Sequence, residues 1–278
     1  MRHTGLVVRA SQLVRRFIGT HRLGGLSEDV AGLRRAIEEM KSALPQVLDT
    51  ATPRVHKVGA LTLLLDPVSA VDKIILETGE WEEPQIQMLL RLTNQYFGPS
   101  GSVFMNVGAY FGLYSLRAMQ SNLFTDIHAF EADAANYSQL QACLFLNRAE
   151  TAIKTHHIAV SDKDGQVVIR PSRAVPTNRG GTGVVLPTDK TIDMRCAPLN
   201  HLVNFSERNI TMKMDLEGHE FHAIDGMQKL FDNNNLLLQI EIYQEYADRH
   251  RALVEKIENI GMQLIGVLAP DHYFIKVH

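Results

Sequence analysis

The chain has 278 residues, of which 45% are hydrophobic and 21% charged, a balance that excludes a mostly disordered protein. A net charge of −3 gives no whole-chain reason to expect a nucleic-acid partner, and no apolar run approaches the roughly 18 residues of a membrane-spanning helix. Cys143 and Cys196 are too few for a disulfide framework, so a reducing, cytoplasmic setting is expected.

The first 25 residues carry Arg2, Arg9, Arg15, Arg16 and Arg22 and no acid. Such an arm packs or frays in the plain case. Its composition also suits a transit peptide or weak contact with an anionic membrane surface. From Ser27 to Leu44 the residues Val30, Leu33, Ile37, Met40 and Leu44 form a helical apolar stripe, closed by Pro45. The stripe packs on its own domain or forms a short dimerising coil, which makes a homodimer the expected assembly to test. Residues 51–80 read as short strands. Pro84 opens a helix through Ile86, Leu89, Leu90 and Phe97 that ends near Gly98.

From there the pattern alternates. Val103–Val107 reads as a strand, Leu113–Gln120 as a helix and Ile127–Phe130 as a strand. Ala134–Asn147 follows as a helix, Ile153–Val160 as a strand and Gln166–Arg170 as an exposed strand. Pro171–Pro187 is a Gly/Pro/Thr-rich loop. Ile210–Met214 is a strand, His219–Phe231 a helix, Leu236–Tyr243 a strand and Ala247–Ile260 a helix. Met262–Leu268 and Tyr273–Val277 form a closing hairpin. Alternation of this kind predicts an α/β domain with a mostly parallel sheet covered by helices on both faces.

Ligands of such sheets bind beyond the carboxyl ends of the strands. The first core strand runs into Asn106-Val107-Gly108-Ala109-Tyr110-Phe111-Gly112, where Gly108 permits close backbone approach and Gly112 tight helix packing. The next strand ends in Glu131, which is 23 residues after Gly108 and placed to accept the hydroxyls of a ribose. A dinucleotide turn needs a second glycine where Tyr110 stands, so a pyrophosphate fits poorly. A phosphate-free nucleoside such as S-adenosyl-L-methionine fits better, and a nicotinamide-dependent oxidoreductase is disfavoured.

Four blocks resemble the FkbM-type methyltransferases. They are Val103–Gly112, Ala129-Phe130-Glu131-Ala132-Asp133 through Leu146-Asn147, Ala159–Gly165, and Lys213-Met214-Asp215-Leu216-Glu217-Gly218-His219-Glu220. The resemblance spans about residues 70–245. It implies a class I, Rossmann-like fold with a seven-stranded sheet, and a transferase that uses S-adenosyl-L-methionine to methylate a hydroxyl of a saccharide or other small metabolite. Three departures stand out: Asn106 where the family usually has Asp, Tyr110 where it often has Asn, and Ala132 where it often has Pro. They keep a second reading open, a catalytically lapsed module for binding or assembly.

The resemblance places Asp215 beside the transferred methyl. Glu217, Glu220 and His219 complete the expected catalytic set, because methyl transfer needs a hydroxyl held in line and a group to take its proton. Glu220 has a plainer use at a helix start, and His222 reads as a surface histidine. The expected cofactor contacts are Asn106, Gly108, Ala109, Tyr110, Glu131, Ala159, Val160 and Asp162, with the last three walling the adenine. Trp81 caps the cofactor, stacks on a sugar or packs in the core, and Glu241 lines the cleft or is structural. Oxygen-rich sites suit Mg²⁺, which leaves a metal on Asp215, Glu217 and a histidine as an alternative, but the spacing matches no metal motif and no metal is expected. The expected division is an arm and helix over residues 1–50 and a methyltransferase domain over 51–278, whose first fifty residues cap a core at 101–278.

Overall fold

A computed structural model describes residues 52–174, 176–188, 191–242 and 247–278. The basic arm and the Ser27–Leu44 stripe lie outside the described residues. A hairpin comes first, β1 (Arg54–Val58) and β2 (Leu61–Leu65), followed by α1 (Ala70–Thr78) and α2 (Glu83–Phe97). The core then runs β3 (Ser102–Val107), α3 (Leu113–Ser121), β4 (Phe124–Glu131), α4 (Ala134–Leu146) and β5 (Ile153–His157). Next come β6 (Ala159–Val160), β7 (Gly165–Ile169), β8 (Ile192–Ala197), α5 (Leu199–Leu202) and β9 (Asn209–Met214). The chain closes with α6 (Glu220–Asp225), α7 (Gln228–Asn233), β10 (Asn235–Glu241), α8 (Ala247–Asn259), β11 (Gln263–Leu268) and β12 (Asp271–Lys276).

Seven strands form the main sheet in the order β11-β12-β10-β9-β3-β4-β5. β12 runs antiparallel to both β10 and β11, and the other pairs are parallel. This is the class I methyltransferase fold. Helices cover both faces. Val103, Met105, Ile210, Met212, Leu236 and Leu238 pack toward Ala223, Leu230, Phe231, Leu253 and Ile257 of α6–α8. Phe104, Ile127, Ala129 and Leu237 face the opposite way, toward α2, α3, α4 and β2. Burial on both faces explains the near-continuous apolar runs of β3, β9 and β10. Each such side chain contributes about 1.5–3 kcal/mol. Among the described residues no helix is long and apolar enough to cross a membrane.

Four sequence expectations need correction. Residues 70–78 are helical, not extended: Ala70, Val71 and Ile75 recur at helical spacing, and Gly79 closes the helix with φ +80°. The strand expected over Ile153–Val160 breaks at Ile158, and Ala159–Val160 pairs instead with β8 in a separate three-stranded sheet, β6-β8-β7. The helix expected over His219–Phe231 is two short helices. Gly226 interrupts it, where a Cβ would lie 2.1 Å from the Ser161 carbonyl oxygen and 3.1 Å from the Pro198 Cα. Finally, β8 and α5 lie where no element was expected.

The order in which the chain lays down its strands reverses between β3 and β9. β3 leads through α3 to β4 on one side, whereas β9 arrives on the other from more than a hundred residues away. Val107 pairs with Met214, so Gly108 and Asp215 are the first residues beyond the two strands. The Asp215 amide donates to the Val107 carbonyl at 2.9 Å and locks the two ends together.

Candidate active site

The two loops at this switch point touch. At Gly108, φ is +86°, and a Cβ would sit 1.8 Å from the Asp215 carbonyl oxygen. Gly108 is therefore required by protein against protein, not only by an approaching ligand. Gly112, with φ +88°, precedes α3, and a Cβ there would meet Leu140 of α4 at 2.4 Å. Between these loops lies a cavity of about 320 Å³, within the usual range for a small-molecule site.

One end is built around Glu131. It is only 7% exposed. One carboxylate oxygen accepts the Tyr110 amide at 2.8 Å, and the other accepts the Asp133 amide at 2.8 Å. Burial pushes its pKa up to about 8 against the pull of these two amides. Phe130, Ile158, Ala159 and Val160 add an apolar wall. Asn106 lines the cavity, but its amide donates to Ser115 Oγ at 3.0 Å. Ala109 lines it too.

Tyr110 has a left-handed backbone, φ +50°. Its hydroxyl donates to Asp72 Oδ1 at 2.7 Å and lies 2.7 Å from Ser69 Oγ. Asp72 also accepts the Asp66 amide and the Gln139 side chain, both at 2.7 Å. The glycine turn is thus tied to α1 through residues some 40 positions apart in the chain. Asp133 likewise caps α4 by accepting the Ala135 and Asn136 amides, and it holds Ser172 of the following loop. Gly180–Val184 of that loop line the cavity, and a Cβ on Gly183 would lie 2.8 Å from the Glu217 carbonyl oxygen.

The other end is acidic and aromatic. Trp81, Glu82, Lys213, Asp215, Glu217 and Glu241 line it. Lys213 is 3% exposed, and its Nζ donates to Asp215 Oδ2 at 3.0 Å. Burial alone would lower the Lys213 pKa, but Asp215, Asp271, Glu82 and Glu241 outweigh it and hold the ammonium charged. Asp215 Oδ1 has no hydrogen-bond partner. Burial, with Asp215 and Glu220 nearby, pushes Glu217 up to about 7. His219 lines the rim with its Nε2 2.9 Å from Ser161 Oγ, and burial beside His222 pushes it down to about 4. That makes it a neutral group and a weak base. Carboxylate oxygens of Asp215, Glu217 and Glu241 lie within 4.8 Å of one another, the one such set among the described residues.

Two expected site residues are elsewhere. Asp162 does not line the cavity: it is exposed, accepts the Ser161 hydroxyl at 3.1 Å and lies near His222. The chain crosses into the second sheet at Ala159, which turns Asp162 outward. Glu220 is 6% exposed and also outside the cavity. Its Oε1 accepts the Leu216 amide at 2.8 Å and the Gly218 amide at 3.2 Å, so it shapes the turn that carries Glu217. Lys213 and Glu82, conversely, were not expected at the site. Lys213 stands inside the fourth motif, but nothing in a linear reading pairs Glu82 with it.

A family model, the methyltransferase FkbM domain, matches residues 106–262, more than half of the chain. The chain belongs to the FkbM methyltransferase family. The four motif blocks of such a methyltransferase converge here: the first, second and fourth meet at Gly108, Glu131 and Asp215, and the third supplies Ala159 and Val160. Among solved structures, the chain is similar to methyltransferase FkbM from Methylobacillus flagellatus KT, with 15% identity over 74% of this chain and 60% of that one, and a TM-score of 0.45. It is also similar to M. jannaschii TYW2 in complex with AdoMet, with 12% identity over 81% and 84% of the two chains and a TM-score of 0.40. A third is precorrin-6y C5,15-methyltransferase from Geobacter metallireducens, with 13% identity over 69% and 86% and a TM-score of 0.41. A comparison with curated proteins finds no match.

Proposed function

We propose that this FkbM-family methyltransferase uses S-adenosyl-L-methionine to methylate a hydroxyl of a saccharide or other small metabolite. The observation that carries the cofactor is Glu131, a buried carboxylate aimed by two backbone amides at the wall of the cavity. Its remaining lone pairs suit the paired hydroxyls of a ribose. Ile158, Ala159 and Val160 offer an apolar slot for adenine. No phosphate cradle accompanies them, because Tyr110 fills the place of the second glycine. The cofactor supplies, when bound, a methyl group activated as a sulfonium.

The protein's own work lies at the Asp215 end. Lys213 holds one Asp215 oxygen and leaves Oδ1 without a partner. Oδ1 accepts the hydrogen bond of the acceptor hydroxyl, orients its oxygen and takes the proton as the new C–O bond forms.

The test is calorimetry with S-adenosyl-L-methionine and its demethylated product, followed by transfer of labelled methyl to a panel of hydroxylated metabolites. Binding of both cofactors and a product methylated on oxygen support the reading. Tighter binding of NADH, or a methyl group found elsewhere than on oxygen, sinks it. Cofactor binding with no transfer to any acceptor favours the lapsed binding module.

A further inference from the structure

Resting on that reading, we infer that the acceptor is a hydroxylated molecule that carries a protonated amine. The cleft has one cation among its described lining residues, Lys213, and that ammonium is already committed to Asp215. Glu82 and Glu217 face the same space without a cation of their own. Glu82 accepts the Tyr114 hydroxyl at 2.8 Å, and Glu217 forms no ion pair within the described residues. Burial and neighbouring acids hold both carboxyls above their usual range, and a cation that enters the cleft stabilises their ionised forms. A cofactor sulfonium offsets one of these charges, and only until the methyl has left.

Trp81 and Glu82 place the counter-charge. Together with Glu241 they line both the cofactor cavity and an open groove beyond it. The groove adds Ile74, Glu80, Pro84 and Pro270. Glu83 also lies there, but Arg117 engages it. An ammonium where this passage opens into the cavity meets the indole of Trp81 and the carboxylate of Glu82, with Glu217 lining the same cavity. The unpartnered Asp215 Oδ1 independently calls for a hydrogen-bond donor, which the acceptor hydroxyl supplies. A phosphate or carboxylate in the same place meets only like charge.

The test uses the full chain saturated with S-adenosylhomocysteine, whose own binding is measured first. Calorimetry then compares glucosamine with N-acetylglucosamine, tyramine with N-acetyltyramine, and glucose 6-phosphate. Acetylation removes the charge and keeps the skeleton. The expected result is that at least one amine binds about tenfold more tightly than its acetylated partner, that salt weakens it, and that glucose 6-phosphate does not bind. Glu217→Gln should erase most of that preference while leaving S-adenosylhomocysteine affinity within about threefold. Equal binding of amine and amide, binding of the phosphate, or no amine binding by the cofactor-loaded protein overturns the inference. Mg²⁺ alone binding in wild type and not in Glu217→Gln also overturns it, since these carboxylates would then be a metal site. Failure to bind S-adenosylhomocysteine is read before any acceptor is added and strikes the proposed function itself.

Discussion

The two ends of the cleft solve the problem of a buried carboxylate in opposite ways. Glu131 is surrounded by backbone amides and apolar side chains, and its surroundings are fixed by secondary structure: the end of β4, the glycine turn and the start of α4. Asp215 is held by a side chain, Lys213, within a group of acids drawn from β10, β12 and the segment before α2. Backbone donors cannot be mutated away, so the Glu131 end suits an invariant ligand. Side-chain donors can be exchanged one at a time, so single substitutions can retune the Asp215 end.

The largest expected effect separates these ends by function. Asp215→Asn is nearly isosteric and keeps an oxygen for Lys213. It should leave cofactor affinity within about threefold and cut methyl transfer by about 10²–10⁴-fold. An Asp215→Asn protein as fast as wild type on an identified acceptor removes Asp215 from the chemistry. Gly108→Ala should join the two ends in failure. Its methyl group would overlap the Asp215 carbonyl, so the domain should lose about 3 kcal/mol in urea unfolding and both ligands should bind poorly. A wild-type urea midpoint would show that the two loops part easily.

A smaller effect belongs to the Glu131 end alone. Glu131→Ala should weaken S-adenosyl-L-methionine by about 1.5–3 kcal/mol for each bond lost, measured by calorimetry. The same residue shapes the pH dependence of stability. Its pKa is raised on folding from 4.5 to about 8, so its contribution is fully present below about pH 4.5 and is lost as pH rises through 8. The slope is at most about 1.4 kcal/mol per pH unit from this group. Thermal midpoints of wild type should therefore fall more steeply between pH 5 and 8 than those of Glu131→Gln. Parallel curves would mean that Glu131 is already ionised across that range.

The smallest effect tests the reassigned residue. Glu220→Gln keeps an oxygen for the Leu216 and Gly218 amides, so it should cost about 0.5–1.5 kcal/mol of stability and little turnover. A loss of turnover as large as that of Asp215→Asn would return Glu220 to the catalytic set.

The core elements were legible in the sequence because their signals are local. β3, β9 and β10 are apolar runs and β4 closes on Ala129-Phe130, and Gly108, Asp215 and Glu131 fall at the ends of β3, β9 and β4. The helix at Ala70–Thr78 is masked because it starts only five positions after Leu65, the last of the alternating Leu61, Leu63 and Leu65 of a real strand. The direction of Asp162 depends on which sheet the chain joins after Ile158, a choice made by pairing with Cys196 and Ala197 some 37 residues later. Glu82 and Lys213 are 131 positions apart in the sequence. Only the packing of α2 and the segment before it against the sheet brings them together. The basic arm and the helical stripe of residues 1–50 lie outside the described residues.

Tyr110 gives the cap a stake in what the cleft holds. Its amide fixes Glu131 and its hydroxyl fixes Asp72 and Ser69, so one residue spans the ligand-facing turn and the start of α1. A ligand that quiets the turn must also slow the local opening of α1, because the two share that phenol as a common anchor. Hydrogen exchange of the Ala70–Thr78 amides then becomes a reporter of occupancy at a distance, and Tyr110→Phe would cut the wire while leaving the Glu131 contact in place.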